Sequence, residues 1–86
     1  MNAELSALQK KLIFRSWHRG TREMDLLLGS FADQHVPLMS ESELEVFQTF
    51  LEISDPELYS WYTGAQSIPE NEANPFIEKF LQHKFK

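Results

Sequence analysis

The chain has 86 residues, of which 42% are hydrophobic, with no cysteine and a formal charge of −5. That length holds one domain, residues 1–86, with one modest core, and the lack of cysteine excludes disulfides, thiolate catalysis and cysteine-ligated metal centres. The acidic balance argues against nucleic acid as a partner, since an acidic body repels phosphate.

The opening residues have neither the apolar run of a secretory signal nor the Arg-rich, acid-poor character of a transit peptide. No stretch of the sequence approaches membrane-spanning length either, so no membrane insertion and a cytoplasmic location are expected. Leu5, Leu8 and Leu12 recur at three and four residues and Ile13 widens the stripe, which predicts an amphipathic helix over residues 3–17. Gly20 interrupts the pattern. A second stripe, Met24, Leu27, Leu28 and Phe31, predicts a helix capped by Thr21 and closed at Val36-Pro37, because the residue before proline avoids helical geometry.

Ser40 followed by Glu43 reads as a capping box ahead of a third helix. Its interior carries two apolar stripes, Leu44, Phe47, Leu51 and Val46, Phe50, Ile53, which predicts a central helix with neighbours on two sides. Asp55-Pro56 predicts an N-cap with proline at the first helical position, and Gly64 ends that short fourth helix. Residues 65–74 are polar and turn-like. Asn74-Pro75 repeats the cap signal before Phe76, Ile77, Phe80, Leu81 and Phe85. No window alternates as a strand does, and the fold class is read as all-α, a compact five-helix bundle.

Charge is segmented along these elements. Lys10, Lys11, Arg15, Arg19 and Arg22 face only Glu4 in the first 22 residues, whereas residues 23–78 hold twelve acidic side chains and no lysine or arginine. A basic pole on an acidic body suits the orientation of a protein partner.

Catalytic and metal-binding signatures are missing from the pattern. His18, His35 and His83 lie in separate segments without metal-ligand spacing, and the glycines at 20, 29 and 64 match no phosphate or dinucleotide loop. The aromatic residues at helical spacing read as core, except that Tyr59 and Tyr62 lie off the stripe and at least one is expected at the surface. The segment Arg19-Gly20-Thr21-Arg22-Glu23 remains. On a bland reading, Arg19 and Glu23 are cap charges that complement the helix dipoles. On a functional reading, Gly20 leaves a spot without a side chain that a partner's backbone can approach, beside an arginine able to grip a carboxylate.

At these residues the sequence resembles the FAD assembly factors of succinate dehydrogenase, called SdhE in bacteria and assembly factor 2 in mitochondria. The family's Arg-Gly-x-x-Glu motif is met by Arg19, Gly20 and Glu23, with an acidic residue, Asp25, two positions on. Ser16–Gly20, Leu26–Ala32 and the block Asp55-Pro56-Glu57-Leu58-Tyr59-Ser60-Trp61 are similar to other family segments, so that the likeness covers about residues 11–64. His18 departs from it, standing where many relatives carry a second basic residue.

The resemblance implies a five-helix protein that binds the flavoprotein subunit of succinate dehydrogenase, or of fumarate reductase, and promotes covalent attachment of FAD to a histidine of that subunit. It implies no catalytic residue and no tightly bound cofactor in this chain, FAD being the partner's. The partner-binding residues expected on this basis are Arg19, Gly20 and Glu23, then His18, Asp25, Asp55 and Tyr59, on a monomer. The location implied is the bacterial cytoplasm, or the mitochondrial matrix for a eukaryotic homologue without its transit peptide. Family members are also described as antitoxin-like modules paired with a membrane toxin, which is the alternative reading.

Overall fold

A computed structural model of the chain describes residues 5–70 and 74–83. Five α-helices carry the fold: α1 (Ala7–Trp17), α2 (Arg22–His35), α3 (Glu41–Phe50), α4 (Asp55–Thr63) and α5 (Pro75–Gln82), with a 3-10 turn at Val36–Leu38. Among the described residues there is no strand. The radius of gyration, 12.6 Å, is close to the roughly 12 Å of a compact chain of this length.

Local chemistry sets most helix ends. Thr21 accepts the Met24 N–H at 3.2 Å, and Ser40 and Glu43 satisfy each other's backbone amides at 3.2 and 2.8 Å, which is the expected capping box. Asn74 accepts the Phe76 N–H at 2.9 Å, and Gly64 closes α4 with a left-handed φ of +83°.

Two ends differ from the sequence reading. The first helix starts at Ala7 rather than residue 3, because Ser6 and Gln9 form a second capping box that fixes its entry. Ala3 and Glu4, like Phe85 at the far end, lie outside the described residues. Ser54, not Asp55, is the N-cap position of α4, and Pro56 follows Asp55 inside the first turn. The Asp55 carboxylate is drawn instead to Arg19.

Helices α1 and α2 run antiparallel, for the Gln9 amide near the start of one donates to the Val36 carbonyl beyond the end of the other at 3.1 Å. Their close approach rests on Gly29. A Cβ there would stand 2.1 to 2.5 Å from three ring atoms of Trp17, so the indole lies directly on the α2 backbone. The indole N–H is 3.3 Å from an Asp33 carboxylate oxygen.

The core centres on Phe31, whose ring centroid is 6.1 Å from Phe47, 6.2 Å from Phe50 and 6.0 Å from Phe80. Those spacings are typical of favourable aromatic pairs. As the two stripes of α3 predict, Leu44, Phe47, Phe50 and Leu51 are buried, with Val46 and Ile53 packed at the edge of the same core. Leu12 of α1, Met24, Leu27, Leu28 and Ala32 of α2, Val36, Leu58 and Trp61 of α4, and Phe76, Ile77 and Phe80 of α5 complete it.

Candidate functional site

The break between the first two helices is a short, rigid turn. The Gly20 φ of +123° is a backbone conformation that side-chain-bearing residues resist, and no atom lies within 4 Å of where its Cβ would be. Gly20 is therefore both required by the backbone and open to solvent. Asp25, in the first turn of α2, reaches back so that one carboxylate oxygen accepts the N–H of Arg19 at 2.5 Å and of Gly20 at 3.3 Å. Charge-assisted bonds to two successive amides hold the turn in one shape.

The Arg19 side chain fastens the same turn from the other side. Its Nε donates to Asp55 Oδ1 at 2.7 Å, while the two terminal nitrogens donate to the carbonyls of Leu51 at 2.6 Å and Ile53 at 2.8 Å. Both carbonyls belong to the α3–α4 junction, where helix termination leaves acceptors without intrahelical donors. The planar guanidinium serves three acceptors at once, which an ammonium cannot match in geometry. Only 10% of the Arg19 side chain and 17% of that of Asp55 are exposed.

The structure thus divides the expected site. Gly20, Glu23, His18 and Tyr59 are exposed; Asp25 is half-buried and engaged with the turn; Arg19 and Asp55 are engaged with each other. An open face containing Arg19, Gly20 and Glu23 together is not what forms, because the guanidinium points into the α3–α4 junction. Among the described residues Arg19–Asp55 is the one ion pair, so the Glu23 carboxylate stands without a cationic partner there.

Two shallow hollows flank the turn. One is lined by Thr21, Glu23, Met24, Asp55, Pro56 and Tyr59, and a second hollow that shares Glu23 and Tyr59 extends it along α2 and α4. A carboxylate beside an apolar wall of Met24, Pro56 and the Tyr59 ring can receive a cationic or N–H group. On the other side, Phe14, Arg15, His18 and Arg19 line a separate hollow. Of the two tyrosines, Tyr59 is 39% exposed, whereas the Tyr62 hydroxyl donates to the His83 carbonyl at 2.6 Å.

The remaining histidines, distant in sequence, share one seam. His35 closes α2 and His83 caps α5, and both rings pack on Phe31, at 4.4 and 5.5 Å. Burial lowers the His35 pKa, with the Lys79 charge adding to the effect. Burial likewise lowers that of His83, with His35 as the second cause. Among the described residues no group of three or more histidine, aspartate or glutamate side chains is placed to hold a metal.

Sequence reasoning missed the Leu51 and Ile53 carbonyls, which have no side-chain signature. It also missed Phe14, 62% exposed, although that residue's position off the Leu8–Leu12–Ile13 stripe was a usable signal.

Fold and site define the class of this chain: a small all-α protein with an exposed, hydrogen-bonded glycine turn between its first two helices. The chain belongs to the family described as "Flavinator of succinate dehydrogenase", whose family model matches residues 10–84. It is 37% identical over 78 residues to the FAD assembly factor SdhE of Acetobacter pasteurianus, covering 91% of this chain and 72% of that protein. It is also 37% identical over 84 residues to the mitochondrial succinate dehydrogenase assembly factor 2 of Dictyostelium discoideum, covering 98% of this chain and 59% of the relative. The namesake in Saccharomyces cerevisiae is 36% identical over 84 residues, 94% of this chain and 52% of its own length. The chain thus spans little more than half of these mitochondrial relatives.

Proposed function

We propose that this protein is an assembly factor that binds the flavoprotein subunit of succinate dehydrogenase, and of fumarate reductase where present, and promotes covalent attachment of FAD. The observation that carries this reading is the turn at Gly20, exposed and fixed from both sides by Asp25 and Arg19, in a chain of the flavinator family. The bond to flavin forms within the partner. This chain contributes positioning rather than a reacting group, and holding reactants in one geometry can itself supply a large rate factor.

In this reading Gly20 lets the partner's backbone approach, and Glu23 and Tyr59 receive its donors in the adjoining hollow. Arg19, Asp25 and Asp55 act through the turn that they hold. The protein works as a monomer in the cytoplasm of a bacterium or the matrix of a mitochondrion, and FAD remains the partner's cofactor.

The test combines the purified chain with apo flavoprotein subunit and FAD and follows in-gel flavin fluorescence after denaturation. Covalent flavin rises when the chain is present. No rise, together with no complex on size-exclusion chromatography, refutes the assignment.

A further inference from the structure

Helix α1 has a second face that the core does not use. Leu12 and Ser16 are fully buried, and Phe14, two positions from each, lies about 200° around the helix from both. Phe14 is 62% exposed. One turn on, the His18 ring stacks against it with centroids 4.0 Å apart and 23° between planes, and His18 Nδ1 lies 2.7 Å from the Phe14 carbonyl. Exposed Lys10 and Lys11 and half-buried Arg15 flank this stack.

A single surface phenylalanine calls for no explanation. Here the ring is held by a neighbour and shares its helix face with cations that lack an intrachain counter-charge among the described residues, where Arg19–Asp55 is the one ion pair. Residues 23–78 are acidic and carry no lysine or arginine at all, and cations return only at Lys79, Lys84 and Lys86. Cations concentrated on one outward helix face of such a molecule favour one orientation of an acidic protein surface and disfavour a polyanion that would also meet the acidic body. The hollow lined by Phe14, Arg15, His18 and Arg19 joins this face to the Gly20 turn.

We infer that the outward face of α1, formed by Lys10, Lys11, Phe14, Arg15 and His18, is a second docking surface for an acidic segment of the protein partner that covers Gly20. The Phe14–His18 stack enters an apolar recess of that segment while the cations meet its carboxylates. The inference rests on the proposed function for the identity of the partner. It adds a contact outside the Arg-Gly-x-x-Glu motif and the chemistry that the contact requires.

The experiment measures binding kinetics of the full chain to the apo flavoprotein subunit of succinate dehydrogenase at several salt concentrations. A Lys10→Glu, Lys11→Glu, Arg15→Glu variant lowers the association rate about tenfold or more at low salt and flattens its salt dependence, as expected of charges at an interface rim. Phe14→Ser raises the dissociation rate about tenfold, as loss of an anchoring aromatic does. Unchanged circular dichroism and melting of both variants show that folding is not the cause, and Lys79→Glu, a single charge reversal on α5, leaves both rates as they were. Wild-type binding with unaltered rates in both α1 variants overturns the inference and leaves the proposed function standing. Absence of wild-type binding overturns the proposed function, and the inferred partner with it. Binding to phosphatidylglycerol vesicles that the charge variant loses, with flavoprotein kinetics unaltered, overturns the inference in favour of a membrane surface.

Discussion

Arg19 and Asp55 lie 36 positions apart in the chain and meet at 2.7 Å, with the guanidinium also donating to the Leu51 and Ile53 carbonyls. The pair ties the turn between α1 and α2 to the junction between α3 and α4, so an arginine of the family motif is first of all a structural clamp. Removing one partner of a well-buried pair costs about 3–5 kcal/mol, and at the partial exposure seen here Arg19→Ala is expected to cost about 2–3 kcal/mol. Asp55→Ala should cost less, since two carbonyls still accept from Arg19. Chemical denaturation of the single and double variants checks this, with a coupling energy of about 1 kcal/mol or more expected for groups in one network. A purely partner-facing arginine would leave stability within about 0.5 kcal/mol of wild type.

Gly20 separates two roles that a glycine can have. With φ at +123° and nothing within 4 Å of the Cβ position, Gly20→Ala and Gly20→Arg meet the same backbone strain, about 1–3 kcal/mol, and no clash. Their melting temperatures should fall alike. Under the proposed function, binding to the flavoprotein subunit and covalent flavin yield should fall much further for arginine, because only its bulk would obstruct the partner's approach. Equal losses for the two variants would assign the glycine to backbone geometry alone.

Gly29 is predicted to tolerate nothing larger. Alanine normally stabilises a helix interior over glycine by about 1 kcal/mol, but its Cβ would stand 2.1 Å from a Trp17 ring atom. Displacing an indole from its seat costs about 1–3 kcal/mol. The melting temperature of Gly29→Ala should therefore drop, and a second change, Trp17→Leu, should recover part of the loss.

Acid sensitivity should arise at the His35–His83 seam. Both folded pKa values lie below the ordinary 6.5, so as pH falls through that value the unfolded chain takes up protons that the folded chain refuses. Stability from this source is complete above the ordinary value and declines as pH drops below it, until the folded histidines protonate too. Melting followed from pH 7.5 down to 5 should show the decline, at about the range where an unperturbed histidine titrates. A His35→Gln, His83→Gln variant should show a shallower slope.

Legibility in the sequence followed the range of the interaction. Thr21, the Ser40–Glu43 box, Gly64 and the Asn74 cap act within four residues, so spacing alone discloses them. The two-sided helix α3 was equally plain from its apolar stripes. Asp55-Pro56 read as a cap because that is the local preference; a distant guanidinium claimed the carboxylate instead. Arg19 reads as a cap charge or as a partner-facing arginine, since backbone carbonyls at 51 and 53 leave no mark in the residue pattern. Nothing in the residue pattern shows why position 29 is glycine, for the reason sits on Trp17 of another helix. The position of the turn was thus visible, and the partners that hold it were not.

The clamp has a consequence for when the protein becomes competent. A chain synthesised only as far as His35 already has the glycine and the Asp25 carboxylate, but not the two carbonyls and the aspartate that seat Arg19. Under the proposed function, incomplete or damaged copies would offer the flavoprotein a loose turn and compete poorly for it. The second fastening of the turn thus depends on residues 51–55, so the near half of the chain takes its final shape only with the far half in place.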